Sequence, residues 1–342
     1  MEIDRLPATV ATLYAELLDQ ALVHERVAGL GGQLPGGVVT KDVRGRRYLY
    51  WQVRTGNQVT QRYLGLDTAD LRTELERIAE RRHDAAEQQA SLDRLAAMLM
   101  KGGALREQST VAAVLRLLAD LGLFRRGAVL VGTQAFRTYG NLLSVRLPSA
   151  SLRTQDIDVA QEIDVALAAA SEPASPVEPA LGTLGFLPVP GLDPRQASTS
   201  FHLRGRELRV DFVTPARRRA ADAPVAIPGL GLSAWPLLFL DYLIEDPVPA
   251  VVLDSSPVLV RVPRPARFAL HKLWTAATRP VSEQTKAAKD RAQATAVITV
   301  LATERPGDLR EALAALTARP TARRRVLREL DRIAPEHRGW NA

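Results

Sequence analysis

Residues 130–160 have the sequence LVGTQAFRTYGNLLSVRLPSASLRTQDIDVA, in which an apolar segment and a Gly-Thr pair precede an Asp-x-Asp pair. Asp156 and Asp158 are two positions apart, so on a β-strand both would project from one face, opposite the apolar Ile157 and Val159. Two neighbouring carboxylates repel each other unless a cation lies between them. Magnesium prefers oxygen ligands and commonly keeps a substrate phosphate among them, so the pair predicts a magnesium site.

The first half of the stretch predicts a phosphate-binding turn. Residues 126–131 favour a short buried strand, and Gly132-Thr133 followed by residues 134–139 predicts a turn that opens a helix. Glycine lets the backbone come close to a ligand, while the Thr133 hydroxyl and the first helical amides can donate to phosphate oxygens. The two halves together suit a metal-bound triphosphate.

A third carboxylate is expected on a neighbouring strand. Asp211 lies in LRVDFV, residues 208–213, which alternates as a half-buried strand does. Residues 198–203 and the turn 204–207 precede it and predict a β-hairpin that brings Asp211 toward the centre of the sheet. Three converging acids can hold two metal ions, one on the triphosphate and one that helps to deprotonate the attacking hydroxyl.

Gly132-Thr133, Asp156-x-Asp158 and Asp211 resemble the glycine plus Ser/Thr, the Asp-x-Asp pair and the third acid of the DNA polymerase β-like nucleotidyltransferase superfamily. A wider set of motifs is similar to a bacterial nucleotidyltransferase-fold family, and it extends from about residue 37 to about residue 295. These motifs are an Arg/Tyr-rich N-terminal hairpin, Gly-Thr-x-Ala-Phe-x-x-Tyr, Val145 to Leu147, Thr154-x-Asp156-Ile157-Asp158 and His271-Lys272-Leu273. The resemblance implies an α+β fold with a polymerase β-like core, in which helices pack on a mixed sheet.

The residues and the resemblance together predict an enzyme that transfers a nucleoside monophosphate from an NTP to an acceptor hydroxyl and releases pyrophosphate. Asp156 and Asp158 would bind two Mg²⁺ (or Mn²⁺) ions, and Asp211 would bind the second ion and orient or deprotonate the acceptor. Gly132 and Thr133 would hold the β and γ phosphates. The alternative is a catalytically silent core that serves a nucleic-acid or partner-binding protein.

Two features complicate the alignment of the acids. The interval from Gly132 to Asp156 is 24 positions, longer than the compact spacing typical of the superfamily, so residues 141–155 are expected to form an extra excursion. A second acid-x-acid pair, Glu162 and Asp164, follows the first. We prefer the first pair because the second leads into the Ala-rich residues 166–170, which favour a helix, and we expect Asp164 outside the pocket.

The chain divides into three predicted parts. Residues 1–103 contain a helix over 8–27, a basic β-hairpin module of two or three strands over 38–64, and a long helix over 68–100 capped by Asp67. Residues 104–262 are the predicted nucleotidyltransferase core, in which Trp235 is assigned to the hydrophobic interior. Residues 263–342 form a predicted C-terminal helical domain, broken at Pro280, Pro306 and Pro320.

The N-terminal hairpin module combines basic and aromatic side chains. Such side chains can neutralise phosphates and stack on bases, as in proteins that bind single strands. The other interpretation is that the aromatic rings pack against helices while the arginines face water. The candidate nucleic-acid contacts are Arg46, Arg47, Tyr50, Trp51 and Arg54.

Two late segments, residues 268–273 and 286–290, resemble the Lys-Leu and Lys/Arg-Asp elements of nucleotidyltransferase-like toxins of toxin–antitoxin systems. A cognate antitoxin is therefore a candidate partner. Lys272 either neutralises triphosphate charge or is an ordinary solvent-facing lysine. Lys286 and Lys289 are interpreted as surface residues, and Asp290 as an anchor for a basic side chain.

Composition is typical of a soluble, cytoplasmic enzyme. The chain has 342 residues, 46% hydrophobic and 24% charged, with no cysteine, so disulfides and cysteine-ligated zinc are excluded. No apolar run is long enough for a membrane span, and the N-terminus lacks a signal-peptide pattern. The net charge of +7 favours an RNA or DNA acceptor, with basic clusters at residues 217–219 and 323–325, and the alternative is that the arginines are solvated on helix surfaces. The acceptor is left open between RNA or tRNA, a protein and a small molecule. His83, His202 and His271 are interpreted as packing or surface residues.

Overall fold

The computed structural model describes residues 3–28, 37–43, 46–55, 58–148, 156–168, 176–191, 196–216 and 223–333. The helices are α1 Ala8–Ala28, α2 Ala69–Lys101, α3 Ser109–Asp120, α4 Gly132–Leu142, α5 Ile163–Ala168, α6 Val177–Thr183, α7 Leu240–Ile244, α8 Pro265–Thr278, α9 Gln284–Glu304, α10 Pro306–Ala314 and α11 Pro320–Ile333. The strands are β1 Gly37–Val43, β2 Arg46–Thr55, β3 Gln58–Leu66, β4 Val129–Val131, β5 Asp156–Ala160, β6 Phe186–Pro188, β7 Ser200–Leu203, β8 Arg209–Pro215, β9 Val225–Ile227, β10 Leu232–Leu237, β11 Val248–Val252 and β12 Val258–Val262.

A seven-stranded mixed sheet forms the centre of the molecule, which confirms a mixed α and β architecture. Its main path runs β4-β5-β8-β10-β9. Strand β5 pairs antiparallel with β4 and parallel with β8, and β8 pairs antiparallel with β7 and parallel with β10. The β7–β8 pair is the predicted hairpin. Strands β7 and β10 therefore both flank β8 on the side away from β4.

The two faces of this sheet differ in polarity because residues alternate along β5 and β8. Ile157, Val159, Val210 and Phe212 are at most 2% exposed and face the core. The residues between them on each strand are polar and more exposed, as the alternation in the sequence predicts. One face of the sheet is thus fixed by hydrophobic packing, while the other carries the side chains of the predicted site.

The N-terminal region forms an arm with its own three-stranded antiparallel sheet, in the order β1-β2-β3. Helix α2 follows, and its 33 residues give it a length of about 50 Å. The predicted cap was wrong: Thr68 is the N-cap and accepts from the Leu71 amide, whereas Asp67 forms an ion pair with Arg72. No helix in the described part of the chain is long and apolar enough to cross a membrane.

The C-terminal helices begin and end where the prolines predicted. Helix α8 ends just before Pro280, and α10 and α11 begin at Pro306 and Pro320, because proline lacks the amide proton that a helix interior needs. A single cluster of buried apolar residues extends from Val111 to Leu330 and thus includes members of the predicted core and of the predicted helical domain. The predicted domain boundaries themselves stay predictions.

The predicted excursion before the acidic strand is described only at its start. Val145 forms an isolated bridge with Arg5, and the Arg146 amide donates to the Asp4 carbonyl, so the chain after α4 is held against the N-terminus. Residues 149–155 lie outside the described part of the chain, as do the arginines 217–219.

Candidate active site

Strand register brings the predicted acids together on the open face of the sheet. Asp158 on β5 lies directly opposite Asp211 on β8, and Asp156 lies opposite Arg209. Neighbouring strands lie about 5 Å apart, and the charge of Asp211 acts on Asp158, so the two carboxylates are close neighbours. Asp164, of the second acid-x-acid pair, belongs to α5, and its side chain lies outside the described part of the chain.

Gly132 permits an unusually close approach between the start of α4 and the acidic strand. Its φ angle is +65°, in the left-handed region that favours glycine, and α4 begins at this residue directly after β4. A Cβ atom at position 132 would lie 2.1 Å from Asp158 Oδ2. The first turn of the helix therefore borders the Asp158 carboxylate, as the phosphate-binding interpretation of the Gly-Thr pair requires.

Thr133 and Gln293 join the sheet to the C-terminal helices. The Thr133 hydroxyl is buried and accepts from Gln293 Nε2 of α9 at 3.3 Å. A hydroxyl that accepts still has its own proton to donate, so this contact is compatible with a second hydrogen bond to a ligand. Gln293 was not identified in the sequence because an amide in a helical pattern carries no signal of its own.

The two acids of β5 repel each other and Asp211. Burial, followed by the charges of Asp211 and Asp156, raises the pKa of Asp158 to about 7. Burial and the charge of Asp211 likewise raise the pKa of Asp156, whereas Arg209 and Lys289 lower it. The site thus concentrates negative charge on one side of the sheet, and the folded protein favours the protonated form of Asp158.

Basic side chains from α8 and α9 face these acids. Lys272 donates to Asp290 Oδ1 at 2.7 Å, and Arg279 Nε donates to Asp290 Oδ2 at 2.7 Å. Asp290 is only 3% exposed and therefore anchors both cations, as predicted. Lys272 also lowers the pKa of Asp158 through its charge, so it is close to the acids rather than directed into solvent.

The surface interpretation of Lys289 was wrong, while that of Lys286 was correct. Lys286 is exposed and lies 3.4 Å from Glu283. Lys289 is partly buried, and burial followed by the charge of Lys272 lowers its pKa, against the charges of Asp290, Asp156 and Asp158. The spacing of Lys286, Lys289 and Gln293 at intervals of three and four places them on one helix face, which is the signal that was overlooked.

Two further residues surround Asp211. The Ser200 hydroxyl donates to Asp211 Oδ1, and Arg209 donates to Ser200 Oγ at 2.9 Å and lies 3.8 Å from Asp211. Ser200 is the register partner of Asp211 in the β7–β8 hairpin. Counting outward from the predicted turn would have found it, because the length of a hairpin loop fixes which residues lie opposite each other.

The donor set is suited to a hard cation, although its geometry is not closed around one point. All three acids supply only carboxylate oxygens, which Mg²⁺ prefers. Within the described ranges, however, there is no group of three or more His, Cys, Asp or Glu side chains arranged to hold a metal ion. Asp211 is directed to Ser200 and Arg209 instead.

Among the described residues, no histidine belongs to a group that could hold a metal ion. His271 is stacked on Phe239 with ring centroids 5.5 Å apart, and burial lowers its pKa to about 3, so its ring is neutral at pH 7. Its interpretation as a packing residue is confirmed. His202 is partly buried on β7, and the side chain of His83 lies outside the described part.

The basic hairpin module of β1 to β3 is described in part. Arg46 and Arg47 are exposed, and Arg47 lies 3.5 Å from Asp67. Tyr50 is partly buried, with Lys41 Nζ 4.9 Å from the centre of its ring. The side chains of Trp51 and Arg54 lie outside the described residues. Nucleic-acid contact by this module stays a prediction.

Comparison with models of known protein families identifies a family for this chain. A family model described as "Nucleotidyltransferase" matches residues 109–317, more than half of the chain and the part that contains every acid and lysine of the site. No curated protein and no solved structure matches the chain. The chain belongs to this nucleotidyltransferase family, whose members transfer a nucleotidyl group from a nucleotide substrate.

Proposed function

We propose that this protein transfers a nucleoside monophosphate from an NTP to an acceptor hydroxyl, with release of pyrophosphate, in a reaction that depends on Mg²⁺ or Mn²⁺. The observation that carries the proposal is that Asp158 lies opposite Asp211 in the strand register while the backbone of Gly132 lies against the Asp158 carboxylate. Acids for metal ions and a helix start for phosphates are both needed there for nucleotidyl transfer.

Asp156, Asp158 and Asp211 are the proposed metal ligands. Bound Mg²⁺ would neutralise the phosphate charge and favour deprotonation of the attacking hydroxyl. The raised pKa values of Asp156 and Asp158 support this role, because mutual repulsion is what a cation relieves. The Asp211 carboxylate would have to turn away from Ser200 before all three carboxylates can bind the same pair of metal ions.

The triphosphate is assigned to the region beside the start of α4 and the Asp158 carboxylate, which Lys272 of α8 and Lys289 of α9 approach. The first amides of α4 point away from the helix and can donate to phosphate oxygens, aided by the helix dipole. Lys272 and Lys289 supply positive charge from the other side. Asp290 positions Lys272 and is itself occupied by two cations, so it acts through the lysine.

Asp211 is assigned a second role at the acceptor. It lies one strand further from Gly132 than Asp158, on the side where an attacking hydroxyl must approach if pyrophosphate leaves at Gly132. Its carboxylate already accepts from a hydroxyl, that of Ser200. We assign to Asp211 the orientation or deprotonation of the acceptor hydroxyl.

A catalytically silent, nucleic-acid or partner-binding protein is the second candidate function. The observation that favours it is the open ligand geometry, because no metal-binding group of three is formed among the described residues. The α2 arm and its basic three-stranded sheet would then be the functional part. The two candidate functions make different predictions, because only the transferase requires Asp156, Asp158 and Asp211 together for activity.

The test is thermal unfolding with Mg²⁺ or Mn²⁺ and each NTP, combined with transfer from labelled NTPs into cell RNA and protein. Binding to the native state should raise the unfolding temperature of the wild type. Asp156→Asn with Asp158→Asn should abolish this increase and the transfer, whereas the control Asp19→Asn, at an exposed position of α1, should retain both. A double variant that responds like the wild type would contradict the proposal.

The resemblance to toxins gives a separate proposal about biological role. If the transfer reaction modifies an essential RNA or protein, expression of the wild type should arrest growth, and the Asp156→Asn, Asp158→Asn variant should not. Rescue by a co-expressed protein would identify an antitoxin. Growth that is equal for both proteins would remove the toxin role and leave the transferase proposal unchanged.

A further inference from the structure

Past Asp211, the sheet face that carries the acids includes the buried Val213 of β8 and two exposed side chains of β10. Trp235 on β10 lies opposite Val213, and Leu237 lies opposite Pro215. Asp211, Val213 and Pro215 alternate along β8, so Trp235 and Leu237 share the face of Asp211. The assignment of Trp235 to the core was wrong: it is 42% exposed, and Leu237 is 40% exposed.

Trp235 is a large aromatic side chain that the described part of the protein covers only in part. None of the ring contacts found among the described residues involves it, although Phe239, four residues later, stacks with Tyr242 and His271. Tryptophan is usually well buried, because its ring gains more from burial than most side chains do. An exposed tryptophan on the active-site face is therefore a candidate contact for a substrate.

The position of Trp235 relative to the phosphates assigns it to the acceptor. In-line displacement places the attacking oxygen on the side of the α-phosphorus opposite the leaving pyrophosphate. Gly132, which follows β4, lies at one side of the acids, and β10 flanks β8 on the other side. A group bound at Trp235 thus lies on the side from which the attack must come.

Arg209 adds a cation to the same exposed strip. Its side chain is 47% exposed. On β8, Arg209 lies two residues before Asp211, and the partner of Trp235, Val213, lies two residues after Asp211. An exposed guanidinium and an exposed indole on either side of a candidate general base suit a phosphate and a base of one strand. The net charge of +7 favours the same polyanionic partner.

We propose that Trp235 and Arg209 form the acceptor subsite and that the acceptor is the 3′ end of a single-stranded nucleic acid. The indole of Trp235 stacks on the terminal base, and Arg209 pairs with a backbone phosphate. The terminal hydroxyl is thereby held beside Asp211. This inference rests on the proposed nucleotidyl transfer and names the substrate class of that same site.

The test uses a labelled single-stranded RNA oligonucleotide with a free 3′ hydroxyl, and a DNA oligonucleotide of the same sequence, in fluorescence anisotropy. Trp235→Ala should weaken binding by about 5- to 150-fold, the equivalent of about 1–3 kcal/mol of base stacking. Trp235→Phe should retain part of the affinity because a smaller ring still stacks. The control is Val23→Ala, at a 52% exposed apolar residue of α1, which is not part of this sheet.

The Mg²⁺–NTP increase in unfolding temperature separates the two proposals. It should be unchanged in Trp235→Ala, because this residue is assigned to the acceptor and not to the NTP. Equal oligonucleotide affinity in wild type and Trp235→Ala, or no binding by the wild type, would overturn the acceptor subsite. Transfer into protein that Trp235→Ala leaves unchanged would also overturn it and would indicate a protein acceptor. If Mg²⁺ and NTP do not raise the unfolding temperature of the wild type, the proposed function itself is contradicted.

Discussion

Replacement of Gly132 by alanine tests the contact on which the site is built. Two physical costs are expected. The φ angle of +65° is unfavourable for any residue with a Cβ atom, and the new Cβ would lie 2.1 Å from Asp158 Oδ2 and 3.1 Å from Asp158 Cγ. Rotation of the carboxylate can relieve the first of these contacts, but only by turning Asp158 away from its present position.

Gly205 provides a matched control. Its φ angle is +75°, and a Cβ at that position meets nothing within 4 Å. Gly205→Ala should therefore cost only the left-handed conformation, about 1–2 kcal/mol. Gly132→Ala should cost that amount plus about 1–3 kcal/mol of overpacking. The expected loss of unfolding free energy is about 2–5 kcal/mol at position 132 and about 1–2 kcal/mol at position 205.

Urea denaturation followed by circular dichroism measures both losses. In an Asp158→Ala background, Gly132→Ala should cost no more than Gly205→Ala, because the clashing carboxylate is gone. If Gly132→Ala costs no more than Gly205→Ala in the wild-type background, Gly132 does not contact Asp158. The start of α4 then lies further from the acids, and the assignment of the phosphates to this turn fails.

Three other outcomes follow from the electrostatics. The raised pKa of Asp158 means that the folded state holds this proton more tightly than the unfolded state, so the metal-free protein should lose stability as pH rises from about 4 to about 7. The unfolding free energy of Asp158→Asn, measured by denaturation across that pH range, should change less than that of the wild type. Identical pH profiles for the two proteins would refute the raised pKa of Asp158. Asp290→Asn leaves two cations in a largely buried pocket and should cost about 3–5 kcal/mol of unfolding free energy, against little change for Asp308→Asn on the surface. Replacement of Arg46 and Arg47 by alanine should reduce the salt dependence of RNA affinity by a slope of about 2 if each contacts one phosphate, and an unchanged slope would show that β2 is not a nucleic-acid contact.

Local signals in the sequence predicted much of the fold. Prolines, helical periodicity and strand alternation act over a few residues, so α1, the β7–β8 hairpin and the ends of the C-terminal helices were found. The cap of α2 was missed because Asp67 and Thr68 are both good N-cap residues, and the choice depends on Arg47 and Arg72, which bind Asp67.

The site was predictable only where its chemistry lies within one segment. Asp156 and Asp158 share a strand, and Gly132 begins the helix that reaches them, so their pattern is visible in the sequence. The roles of these residues stay predictions. Lys289 and Trp235 were misassigned because their exposure depends on which elements pack nearby, and tertiary packing has no local signature.

The alternation along β5 and β8 has a consequence for how such a protein can change over evolution. Neighbouring positions of one strand are under different constraints. Ile157 and Val210 contribute to the core, whereas Asp158 and Arg209 lie on the other face of the sheet, where we propose that the substrates bind. Substitutions on the open face can therefore alter the accepted substrate while the buried face keeps the sheet intact. A descendant could exchange one acceptor for another, or lose activity altogether, without ever passing through an unfolded intermediate.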